Sequence, residues 1–167
     1  MTAPAGAVRD SSLGTLLLLA PFIFIAHFLE EGPGFVTWFN AHVSRGITEG
    51  LFWTVNATAL VITVAVVAAE WSSARSAITA VVLVGWLSFL MFANALLHIT
   101  GAIADRAYMP GLVTAVLLYL PFYLWVVSRI VRTRRLPSGV IVVTAILGAL
   151  PMAMHGYLII FRGSRLF

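Results

Sequence analysis

The sequence predicts an all-α fold: a polytopic membrane bundle of about five transmembrane helices plus one short interfacial helix. Three observations predict it. The 167 residues are 61% hydrophobic and only 10% charged, whereas a soluble domain carries about a quarter charged residues. Five apolar runs are each long enough to cross a hydrocarbon layer of about 30 Å. Charged and Pro/Gly-containing segments separate those runs, which places the turns. The length suits a single integral membrane domain over residues 1–167.

Residues 1–11 are small and polar and precede the first run. The first span is expected at about 12–31, closed by Pro33 and Gly34. Phe35, Trp38, Phe39 and His42 then recur at i, i+3, i+4 and i+7, the stripe of a helix too short to span. An interfacial helix is expected at about 35–47, with Trp38 at headgroup level as an anchoring belt or a lid. The second span, about 50–69, ends at Glu70-Trp71. The third, about 76–102, belongs to an uncharged stretch long enough to tilt, and it carries Asn94 and His98 on one face. Asp105 to Gly111 reads as a turn. The fourth span follows at about 111–128, then Arg129, Arg132, Arg134 and Arg135, and the fifth at about 140–161 carries His155.

Several functions are excluded early. There is no cysteine, so disulfides, thiolate nucleophiles and cysteine-held zinc or iron–sulfur sites are out. A pI near 10.4 would point to nucleic acid in a soluble protein, but here the arginines sit between apolar runs and report topology; no nucleic-acid partner is expected. No Gly-rich phosphate loop or Gly-x-Ser-x-Gly occurs. No small-residue cleavage site follows the first run, so it is expected to be retained. Arginine without lysine suggests a GC-rich bacterial genome, hence a multi-pass protein of the bacterial cytoplasmic membrane.

The chemistry gathers at His27-Phe28-Leu29-Glu30-Glu31. A charged side chain at the centre of a membrane helix costs roughly 2.5–3.5 kcal/mol on insertion scales. The carboxylates can simply mark where the helix leaves the bilayer. Yet at about 100° per residue His27 shares a face with both Glu30 and Glu31, so one helix presents a nitrogen and two oxygens together.

Topology turns scattered residues into a layer. The basic Arg129–Arg135 loop is placed in the cytoplasm. The amino terminus and Arg75 then lie inside, and Glu30–Glu49, the Asp105–Pro110 turn and the carboxyl terminus lie outside. His27, His98 and His155 all fall within roughly 6–9 Å of the outer boundary at about 1.5 Å per residue. Glu70 sits at the opposite end of its span and is excluded. His42, on the interfacial helix, is a substrate-facing candidate only.

These residues resemble the membrane proteins named for their HxxEE motif. The likeness is carried by His27–Glu31, by Gly32-Pro33-Gly34-Phe35 and Trp38-Phe39, and by Asn94 to His98. It continues at Tyr108-Met109-Pro110-Gly111 and at the late His155. The size and span layout agree over nearly the whole chain. The resemblance implies a set of site residues; it implies no particular reaction.

Imidazole and carboxylate suit a transition metal, with zinc favoured and iron or manganese possible. His27, Glu30, Glu31, His98 and His155 are the expected ligand set. Glu30 is expected to complete the metal shell and Glu31 to act as base, while Asn94 and Tyr108 are expected to orient ligand or substrate. The favoured reading is a metal-dependent membrane enzyme that activates water toward a hydrophobic, amphiphilic or lipid-like small substrate drawn from the bilayer. Three others stand beside it: a carboxylate-bridged di-iron oxidoreductase, a proton- or cation-binding transport protein, and a structural protein locked by a His/Glu/Asn network. The chain carries no internal repeat, which weighs against transport.

Overall fold

The computed structural model describes residues 11–72 and 76–162; Arg75, placed inside above, lies outside them. Five helices are long and apolar enough to cross a membrane: α1 (Gly14–Glu31), α3 (Glu49–Ser72), α4 (Ala77–Asp105), α5 (Leu112–Arg132) and α6 (Ser138–Arg162). Between α1 and α3 lies α2 (Phe35–His42). No strand occurs among the described residues.

The bundle has a centre and an outrigger. α1 packs on α3, α3 on α4, α4 on α5, and α5 back on α1, while α6 packs along the opposite side of α4. Burial follows that order: 56% of the most apolar window of α4 is buried, against 11% in α6. Leu17, Phe24, Leu83, Leu87, Met91, Tyr119, Val126 and Ile130 form the shared core. Lipid tails are as apolar as leucine, so association rests on close packing rather than on burial from water. The α4–α6 crossing shows this, because Gly148 lies directly against the backbone of Gly85, where no Cβ fits.

Two local departures from regular helix have sequence causes. Pro21 cannot donate to the Leu17 carbonyl, and α1 tightens there, with the Leu18 N–H bonding to the Thr15 carbonyl at 3.2 Å. Pro121 likewise cannot donate to Leu117, and the wider π turn Ala115–Tyr119 runs up to it. A second π stretch, Ser88–Ala93, immediately precedes Asn94 and His98. Such bulges are common at functional sites.

The interfacial helix ends at His42, short of the expected residue 47. Asn40 is the reason. Its side chain accepts from the Ile47 N–H at 2.7 Å and donates to the Ile47 carbonyl at 3.0 Å. That bracket holds 43–47 as a loop, since asparagine offers the backbone an alternative to helical bonding.

At the other end of the bundle, Arg135 makes a two-pronged ion pair with Glu70, at 2.5 and 3.2 Å, and also donates to the Ser76 carbonyl at 3.2 Å. It ties the ends of α3 and α4 to the α5–α6 loop.

Candidate metal centre

His27 of α1 and His98 of α4 face each other across the bundle, with ring centroids 4.9 Å apart. Glu31, one turn after His27, places Oε1 3.4 Å from His27 Nε2 and 3.0 Å from His98 Nε2. One atom from each residue lies within 4.8 Å of the other two. All three side chains are sealed from solvent, at 1%, 4% and 0% exposure for His27, Glu31 and His98. Neither Nε2 makes a hydrogen bond despite these distances, because the geometry is wrong for N–H donation.

The other glutamate is placed differently. Glu30 points away from the trio to the amino-terminal end of α5. It accepts from the Val113 N–H at 3.0 Å, the Thr114 N–H at 2.8 Å, the Thr114 hydroxyl at 2.5 Å and the Tyr108 hydroxyl at 2.5 Å. It therefore caps α5 from a neighbouring helix, where the dipole also favours a negative charge. The Thr114 oxygen, having given its only proton to Glu30, lies 2.8 Å from His27 Nδ1 and must accept from it. His27 is thus held on its Nδ1 side by Thr114, with Nε2 turned toward Glu31. Carboxylate–histidine pairs orient metal ligands in this way; here a threonine stands between. His27 Nε2 and Glu31 Oε1 thus lie 3.4 Å apart in a site closed to solvent, with His98 Nε2 beside the same oxygen.

The structure redistributes the expected ligands. His27, Glu31 and His98 come together. Glu30 does not join them, since its four hydrogen bonds fill its carboxylate, and it is Glu31, expected as base, that lies against both histidines. His155 does not join them either: α6 lies on the far side of α4, and the ring stacks on Phe39 of α2 at 6.1 Å. Equal depth was no guide to adjacency. Asn94 sits one turn before His98 with a buried Oδ1 that makes no hydrogen bond. Tyr108 touches Glu30 rather than the trio. Burial and the Glu30 carboxylate push its hydroxyl up to about 12, so it remains a donor.

Three residues at the centre carried no expectation. Thr114 links Glu30 to His27. Tyr119 lies tilted over His27 with ring centroids 4.1 Å apart. Gly111, at φ +91°, stands where a Cβ would meet His98, Glu31 and His27 within 3.0 Å, so only glycine fits both the turn and the space.

The chain matches the family model described as "Protein of unknown function with HXXEE motif" over residues 18–126. That is well over half of it. The chain belongs to the HXXEE family. The matched region holds every residue of the centre, from His27 and Glu31 through His98, Gly111 and Thr114 to Tyr119, and it excludes α6 with His155. No curated protein and no solved structure matches.

The clefts lie elsewhere. A groove of about 150 Å³ between α4 and α6, lined by residues such as Leu97, Thr100 and Tyr157, does not touch the trio. Over the centre sits α2, with Phe35 at 6.2 Å from His98. Its far end is fastened to α4: Trp38 Nε1 donates to Asp105 at 2.7 Å, and His42 lies 2.7 Å from the Trp38 carbonyl and 3.1 Å from Asp105. Both partners of His42 are acceptors, so both bonds form together only in the imidazolium. Burial opposes that charge, but the Trp38 carbonyl and the Asp105 carboxylate outweigh it and hold the imidazolium above its ordinary value of 6.5. The fastening therefore contributes fully below about 6.5 and is lost as pH rises through the raised folded value. Hydrogen exchange of the α2 amides should accelerate above neutral pH beyond the intrinsic rate, and His42→Gln should abolish that extra step. An α2 that exchanges identically in both proteins at every pH contradicts this.

Proposed function

We propose that this HXXEE protein is a transition-metal-dependent integral membrane enzyme whose metal is held by His27, His98 and Glu31. The observation that carries the proposal is the pair of buried Nε2 atoms converging on Glu31 Oε1 without hydrogen bonds, one of them oriented through Thr114 by Glu30. Two histidines and one glutamate, with a remaining position for water or substrate, make the donor set of catalytic zinc sites. Zinc is favoured; iron and manganese accept the same atoms. A single ion is favoured over a di-iron pair, since Glu30 is engaged with α5 and the trio is the one such group among the described residues.

Bound metal would supply an acidified water or a polarised substrate oxygen. The chain's own residues do the rest. Glu30 and Thr114 orient His27, Gly111 keeps the space clear, and α2 excludes bulk water. Substrate entry would pass α2, and the membrane setting favours a hydrophobic or amphiphilic small molecule. The arginine pattern supports an amino terminus in the bacterial cytoplasm and a centre in the outer half of the bilayer.

Elemental analysis after mild detergent extraction tests the reading. The expected result is close to one equivalent of a transition metal per chain. The full burial of the trio favours one rival, a polar network that locks α1 to α4. Protein free of metal, with a melting temperature unmoved by zinc, iron or manganese, would establish that rival.

A further inference from the structure

We propose that Tyr119 is a ligand-binding residue of this centre, donating its hydroxyl to an oxygen-bearing or other small anion held beside His27 and Glu31. The proposal rests on the metal reading above. Tyr119 is completely buried, and its hydroxyl has no hydrogen-bond partner among the described residues. Its ring lies over His27, tilted by 34° at 4.1 Å, and His27 Nε2 is itself 3.4 Å from Glu31. One helical turn further on, Tyr123 gives the contrast, since its hydroxyl pairs with Ser88 at 2.9 Å.

An unpaired buried hydroxyl is costly, and phenylalanine would fill the same volume without that cost. The hydroxyl therefore calls for a partner that the described residues do not supply. Charge points to its nature. A divalent ion with one carboxylate ligand keeps a net positive charge, which favours an anionic group at the remaining position. A neutral phenol is a donor to such a group. The sealed surroundings restrict it to a small anion or to the charged end of a substrate.

Cobalt(II)-loaded protein gives a spectroscopic test with azide as the probe. Tyr119→Phe should take up as much cobalt as the wild type, melt no lower, and bind azide about tenfold more weakly, the loss of one hydrogen bond to a charged group. Tyr123→Phe should leave azide affinity unchanged. A wild type that takes up no cobalt overturns the metal reading and this one with it. Cobalt uptake with equal azide responses in the wild type and Tyr119→Phe overturns the role of Tyr119 alone. So does a Tyr119→Phe protein that loses its cobalt, or a Tyr123→Phe protein that weakens azide equally.

Discussion

His98→Ala is expected to strip the protein of its metal, whereas Glu30→Gln is expected to weaken binding and keep the centre. In the proposed centre His98 supplies one of three donor atoms and has no substitute nearby: His155 is across α4, and Asn94 ends in a weakly ligating amide. Removing it also leaves a cavity at a position of 0% exposure, so a lower melting temperature accompanies the loss. Glu30→Gln keeps an oxygen that can accept from Thr114 but removes the charge behind it. The loss of an outer partner typically costs about 10- to 100-fold in metal affinity. Competition with a chelator of known affinity measures both variants. If His98→Ala retains full metal and Glu30→Gln loses all of it, the ligand set is wrong. Glu31→Gln should resemble His98→Ala.

This contrast also shows what the sequence could and could not reveal. The five spans were legible because each must be apolar over its whole length, and the turns because proline, glycine and arginine interrupt them. The HxxEE turn stood out because clustered charge near a membrane is expensive. Helical spacing placed both glutamates on the face of His27, and nothing in that spacing could say that the i+4 residue joins the imidazole while the i+3 residue reaches a neighbouring helix. The third histidine of the layer, His155, lies apart from the other two for a related reason. Depth is encoded along one helix, but adjacency depends on which helices touch, and that is set by details such as Gly85 against Gly148. Thr114 and Tyr119 were invisible for another reason. A threonine in a first helical turn and a tyrosine in an apolar run are ordinary until their partners are known.

Arg135→Ala is expected to be among the most destabilising single changes outside the centre. Glu70 is 2% exposed, and both its oxygens are matched by the guanidinium of Arg135, which also satisfies the Ser76 carbonyl. Removing the arginine leaves a carboxylate with no cation in a site closed to water. Breaking a buried pair on one side costs about 3–5 kcal/mol. At roughly 2–4 °C per kcal/mol for a chain of this size, the melting temperature should fall on the order of 10 °C. The pair lies at the end of the bundle away from His27 and His98, so metal content should be unaffected. A second substitution separates charge from packing: Glu70→Gln in the Arg135→Ala background removes the stranded charge and should recover much of the loss. If the single and double variants melt alike, the pair does not hold the ends of α3 and α4 to the α5–α6 loop by charge, and packing around Leu136 and Ile130 carries that junction.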